Sequence, residues 1–307
     1  LAAGLLGRGH QPAIVSRGYG GAERGPARVP SAAGGAGGPA DGLSGAAAGI
    51  EVAARFGDEP TWLARALPDV PVFVARDRVA AARAACAAGA GCLIADDAFQ
   101  HRRLRRDFDL VVVDATEPLW HYWPLPAGRA REPLSALARA SAIVINKVNL
   151  VADDRLATVR DAVRLALSSA SRPGAPQGWT ECEYSIRALG RLDGGEEPLA
   201  AFRGQRVFCA SGLGRPAAFR ATLRLSADIE IAGSLDFPDH RAYDEADLAL
   251  IERRAIEAGA DAIAITEKDA VKMGGWAPRL PVRIARLKAE PAGGWEPMHA
   301  EIERLLF

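Results

Sequence analysis

The residues of this chain best equipped for chemistry lie in one run, Cys92-Leu93-Ile94-Ala95-Asp96-Asp97-Ala98-Phe99-Gln100-His101. A short apolar segment there delivers two adjacent carboxylates, then an amide and an imidazole. Hard oxygen ligands at the carboxyl end of a buried parallel strand suit Mg²⁺ facing the phosphates of a nucleotide. An Asp ending such a strand also serves simply to cap the next helix. The paired acid and the polar Gln100 and His101 favour the metal-nucleotide reading, with Asp96 and Asp97 as candidate ligands. Side-chain alternation along a strand leaves open which of the two faces the ion.

Other runs carry weaker chemistry. Gly57-Asp58-Glu59-Pro60 has the composition of a turn at a helix start. Asp236-Phe237-Pro238-Asp239-His240 sets an imidazole, able to trade protons near neutral pH, in a Pro-punctuated loop. Ser16-Arg17-Gly18-Tyr19-Gly20-Gly21 ends an apolar run with three glycines, which make either a tight turn or a close backbone approach to ligand, with Arg17 lining the cleft. His101-Arg102-Arg103-Leu104-Arg105-Arg106 is a solvated basic face or a contact for phosphate and anionic headgroups. Asn146-Lys147-Val148-Asn149 resembles the base-reading element of GTPases, except that Asn149 stands where an Asp would pair with guanine. Trp120, Tyr122 and Trp123 are expected to pack in the core, with a lipid-facing role as the alternative.

These groups need a scaffold. Short, nearly continuous apolar runs at 13–16, 72–75, 93–95, 110–113 and 142–146 predict strands covered on both faces, with an Ala-rich helix over 77–90. A second series at 207–210, 229–232, 262–266 and 282–285, interleaved with a helix over 244–258, follows a Ser/Pro/Gly-rich break at 168–178. The repeated βαβ pattern predicts a doubly wound α/β protein, divided into 1–170 and 171–307. Residues 25–49 are low in complexity and read as a surface loop, or as a lid over substrate.

Composition narrows the classes. At 307 residues with 49% hydrophobic content, the chain can bury one large or two ordinary cores. Its formal net charge of zero gives no general attraction to nucleic acid or to an anionic surface, so any such contact must be local. Cys86, Cys92, Cys182 and Cys209 lack C-x-x-C spacing and imply neither zinc nor a disulfide framework, as suits a reducing cytosol. No apolar stretch is long enough to span a bilayer.

The motifs together resemble the tetraacyldisaccharide 4'-kinases, which phosphorylate the lipid A precursor. Asp96-Asp97-Ala98-Phe99-Gln100-His101-Arg102-Arg103-Leu104, Val111-Val112-Val113-Asp114, the Ser16 and Gly57 runs, Leu125-Pro126-Ala127-Gly128 with Arg131-Glu132-Pro133-Leu134, Asp239-His240 and Thr266-Glu267-Lys268-Asp269-Ala270-Val271-Lys272 fall in the family's order. The resemblance implies a P-loop NTPase-like fold of two α/β domains with mostly parallel sheets and the active site in the cleft between them. It implies ATP and Mg²⁺, a lipid A disaccharide substrate, and a peripheral place at the cytoplasmic, anionic face of the bacterial inner membrane, with no nucleic-acid or protein partner. By the same resemblance Asp58 acts as base on the 4'-hydroxyl, works with His240 and meets it between the domains. Glu59 joins the metal or its water, while Arg17, Gln100, His101 and Arg102 meet substrate.

One family element has no match. The phosphate loop G-x-x-x-x-G-K-[ST] and the membrane-proximal segment before it are missing, and none of the four lysines, Lys147, Lys268, Lys272 and Lys288, follows a glycine. Residues 1–9 read as the closing turns of the helix that such a loop launches. The expectation is an N-terminally incomplete sequence that, as given, binds ATP poorly. Competing readings are a degenerate, non-catalytic lipid-binding homologue and a metallochaperone-like GTPase.

Overall fold

The computed structural model describes residues 1–31, 46–168, 176 and 178–306. In chain order the elements are α1 (Ala2–Gly7), β1 (Pro12–Ser16), β2 (Ala27–Arg28), α2 (Ala46–Phe56), α3 (Asp58–Ala66), β3 (Val72–Val74), α4 (Arg78–Ala87) and β4 (Cys92–Ala95). There follow β5 (Leu110–Asp114), β6 (Ala142–Asn146), α5 (Asp153–Ser168), β7 (Thr180–Gly190), β8 (Glu196–Pro198), β9 (Arg206–Ser211), α6 (Pro216–Ser226) and β10 (Glu230–Asp236). The last are α7 (Glu245–Glu257), β11 (Ala262–Thr266), α8 (Glu267–Ala270), β12 (Val282–Pro291) and α9 (Glu296–Leu306). Two compact units emerge: Leu1–Leu104 with Ile186–Leu287, and Arg105–Ser185 with Lys288–Phe307. Each is assembled from two separate stretches, unlike the consecutive division at residue 170 that composition suggests.

The first unit contains two sheets. One has the order β2-β3-β1-β4, with β1 parallel to both neighbours and β2 antiparallel at the edge. Every residue of β1 is buried, because both faces are covered. Ile14, Val72 and Val74 pack with Phe56 and Ala64, while Ala13, Val15 and Phe73 pack with Ala81 and Ala85 of α4. The small side chains of α4 let it lie close to the strands, and Asp77 caps it by accepting from the Val79 amide at 3.0 Å.

The other sheet in this unit includes the run β10-β9-β11-β12, all parallel. Phe208, Ile263, Ile265 and Ile284 face Ile251 and Ala255 of α7. Val207, Cys209, Ala262 and Ala264 face Phe219 and Leu223 of α6. In the second unit β5, β6 and β7 are parallel, and α5 buries Leu156, Val159 and Val163 at helical spacing.

The α/β class and the mostly parallel sheets agree with the sequence reading. Trp120 and Trp123 do not join the core: they are 56% and 64% exposed, held outward in a turn closed by Ala130 donating to the Trp123 carbonyl. Tyr122 has a structural tie instead, its hydroxyl donating to the Asp114 carbonyl at 2.8 Å. Of the low-complexity run 25–49 with its alternative as a lid, 25–31 contains β2 and 46–49 opens α2, whereas 32–45 lies outside the described residues.

Candidate active site

The site is built on a tight junction between helices of the first unit. Only Gly57 separates α2 from α3, at φ 93° and ψ 151°. A Cβ there would meet the Tyr19 carbonyl oxygen at 2.5 Å, so the loop after β1 and the start of α3 fit together only around glycine. Gly21 makes the converse approach, its Cβ position lying 2.6 Å from the Phe56 carbonyl carbon. Asp58 and Glu59 thereby occupy the first turn of α3, where the helix field favours carboxylates.

Asp58 is buried, and its partners come from far along the chain. Nδ1 of His240 lies 3.0 Å from Oδ1 and 3.1 Å from Oδ2 of Asp58, across 182 residues of sequence. The ring of Tyr19 sits 5.1 Å from the imidazole, tilted by 57°. His240 holds a left-handed backbone, φ 61°, which costs a non-glycine residue about 1–3 kcal/mol and is kept by its surroundings, including its amide donating to Asp239 Oδ1 at 3.0 Å. Burial pushes the Asp58 carboxyl up. The hydrogen bond from His240 and the charges of Lys272 and Lys268 outweigh it, so the pKa is lowered and the group is a carboxylate at neutral pH. Both residues belong to the same compact unit, because Ile186–Leu287 returns to Leu1–Leu104.

Behind Asp58 lies a set of groups that sequence reasoning left without roles. Lys272, itself buried, places Nζ 3.2 Å from Asp58 Oδ2 and 3.7 Å from Asp269 Oδ1. Asp269 has no exposed surface. It accepts from the Tyr243 hydroxyl at 2.8 Å, the Thr266 hydroxyl at 2.6 Å and the Gly212 amide at 3.1 Å. Burial and the Asp269 charge drive the Tyr243 phenol far above its ordinary value, so it remains a donor. The signal was available: two of the chain's four lysines fall in the seven-residue run 266–272, beside two acids.

At the end of β4 the carboxylates part company. Asp96 is half-buried and takes the Ser16 hydroxyl on Oδ2 at 3.1 Å, while Asp97 turns into the left-handed region, φ 49°, and is exposed. Buried Arg78 braces this turn by donating to the carbonyls of Asp96 at 3.2 Å and Asp97 at 2.9 Å. Burial, then the Asp97 charge, raise the Asp96 pKa. Glu59 is raised by desolvation of its carboxyl and then by the charge of Asp96, with Asp58 adding to it. Among the described residues no three His, Cys, Asp or Glu converge as a closed metal cage. Hard oxygens that repel one another nonetheless fit Mg²⁺, which takes one or two carboxylates and completes its shell with water and phosphate.

The remaining expected residues are more dispersed. Arg17 and Arg102 are exposed, and Gln100 and His101 are half-buried in the turns after β4. Gln100 Oε1 is buried without a hydrogen-bond partner. Arg103 pairs with Asp77 at 3.6 Å, and in the second unit Arg105 and Arg106 pair with Asp107 and Asp109, so acids neutralise much of the basic run. Lys147 is engaged by Asp114 at 2.6 Å. Asn149 pairs with the backbone of Tyr184 through both amide atoms, a strand-like contact that accounts for the amide at this position.

Comparison with known proteins gives one answer. A family model described as Tetraacyldisaccharide-1-P 4'-kinase matches residues 1–305. The tetraacyldisaccharide 4'-kinase of Anaeromyxobacter dehalogenans strain 2CP-1 is 38% identical over 313 residues, covering 100% of this chain and 76% of that protein. That of Syntrophus aciditrophicus is 38% identical over 89% of this chain and 70% of its own length. The crystal structure of an "apo" form LpxK from Aquifex aeolicus in complex with ATP aligns over 99% of this chain and 82% of that one, with a TM-score of 0.67 at 24% identity, which establishes a shared fold.

Proposed function

The chain belongs to the tetraacyldisaccharide-1-P 4'-kinase family, and from that membership we propose that it transfers the γ-phosphate of ATP to the 4'-hydroxyl of a tetraacyldisaccharide 1-phosphate. The observation that carries the reading is the Asp58–His240 pair. Phosphoryl transfer to an alcohol needs an acceptor for the hydroxyl proton, and a buried carboxylate with a lowered pKa is ionised and aimed before substrate arrives. Asp58 takes the proton as the new oxygen–phosphorus bond forms and the bond to the leaving ADP breaks. His240 orients the carboxylate and shares the proton's charge. As a coupled pair, the two define one acceptor rather than a proton assigned to either alone.

Asp96 and Asp97 would hold Mg²⁺, with Glu59 within electrostatic reach of both Asp96 and Asp58. When bound, the ion would neutralise phosphate charge. Gln100, His101, Arg17 and Arg102 are assigned to substrate, the arginines to its 1-phosphate or neighbouring anionic headgroups. No helix among the described residues is long and apolar enough to cross a membrane, and we place the enzyme peripherally at the cytoplasmic face of the inner membrane. The direct test uses γ-labelled ATP, Mg²⁺ and tetraacyldisaccharide 1-phosphate. Label should appear as a 4'-phosphate on the lipid, and release of label solely as inorganic phosphate would overturn the assignment.

A further inference from the structure

We propose that Lys272 is a positioning residue for the transfer, holding the plane of the Asp58 carboxylate against His240 from a buried anchor on Asp269. The proposal rests on the reading of Asp58 as proton acceptor. A carboxylate at the first turn of a helix is free to rotate about its side-chain bonds unless something fixes its second oxygen. His240 Nδ1 straddles the two oxygens, 3.0 Å from Oδ1 and 3.1 Å from Oδ2, and one such contact does not fix the carboxylate plane; Nζ of Lys272, 3.2 Å from Oδ2, supplies a second point of attachment.

Lysine is a poor clamp by itself, since its flexible four-carbon stem must lose much rotamer freedom to be held in one place. This one is buried. Its ammonium lies 5.4 Å from the centre of the Tyr243 ring and 3.7 Å from Asp269 Oδ1. Asp269 is in turn fixed by the hydroxyls of Tyr243 and Thr266 and by the Gly212 amide. Thr266 ends β11 and Gly212 directly follows β9, so the lysine transmits the rigidity of two central strands to the reacting end of α3. Lys268, the other lysine of the run, is directed to Asp239 at 3.4 Å and does not duplicate the contact.

Misplacement of a catalytic group by about 1 Å can cost about a hundredfold in rate without weakening substrate binding. Lys272→Met should therefore lower kcat by about ten- to a hundredfold while KM for ATP and for the lipid stays within about twofold. It also strands Asp269, so some stability should be lost with it. The Asp269→Asn/Lys272→Met double variant separates the two effects, because it removes both buried charges together. Its urea midpoint should recover most of the loss while kcat stays low, and recovery of kcat along with stability would show a merely structural lysine and overturn the proposal. Acting through Asp58, Lys272→Met should add little to Asp58→Ala; fully multiplicative losses would overturn it too. If Asp58→Ala itself kept full activity, the acceptor assignment would fall. If Asp58→Ala were inactive and Lys272→Met normal, only the present inference would.

Discussion

Asp58 is a buried acid whose charge is maintained by partners from distant sequence, and that makes its effects pH-dependent in a definite direction. Its folded pKa is lowered, so it contributes stability above the ordinary carboxylate range, and the contribution is lost as pH falls through the folded value. The stability difference between the wild type and Asp58→Asn, from urea unfolding, should be largest near pH 7 and shrink below about pH 4. A constant or growing difference on acidification would contradict the ion-pair account. At the proposed metal site, Asp96→Ala should lower kcat by about a hundredfold or more, the scale of losing a main electrostatic stabiliser, and near-full activity of the variant throughout a Mg²⁺ titration would argue against the ligand role. Legibility at this scale was uneven. Asp58, His240 and Asp96 stand out by motif, but the contact between the first two spans 182 residues and no local pattern encodes it. Lys272 is marked in the sequence only by the clustering of two of the four lysines in 266–272, which carries no sign of its burial or of its contact with Asp58. Asp97 falls where the strand has ended, so alternation could not say where it points.

At the scale of elements, continuous apolar runs announced the parallel strands because burial on both faces removes the polar alternation. By contrast β7, with the sequence Thr-Glu-Cys-Glu-Tyr-Ser-Ile-Arg-Ala-Leu-Gly, is partly exposed and carries charges that hide it. The aromatic turn misled in the other direction: large apolar side chains suggested a core position, whereas Trp120 and Trp123 are exposed. The junction of α2 with α3 is where an element sets the position of the proposed proton acceptor. Gly57→Ala adds a Cβ at φ 93° against the Tyr19 carbonyl, so the start of α3 must shift. A loss of about 1–3 kcal/mol in urea unfolding is expected, with a fall in kcat from the displaced Asp58. Unchanged stability and rate would mean that the junction is not the constraint described.

For the molecule as a whole, the first unit joins Leu1–Leu104 to Ile186–Leu287, and its candidate residues come from both stretches. Discontinuity of this kind cannot be read from composition, because it depends on contacts between distant segments rather than on any linker. It predicts that β1 and β11, both fully buried, lose hydrogen-exchange protection together as denaturant rises. Early loss in one stretch with full protection in the other would show two independent bodies. Function depends on that joint assembly, and a double-mutant cycle on kcat tests it most directly. Asp58→Ala and His240→Ala should each lower kcat by about a hundredfold or more, and the double variant should be little worse than the worse single variant, as follows from the proposal that the two form one proton acceptor. Losses that multiply in full, or a single variant retaining wild-type turnover, would contradict the account.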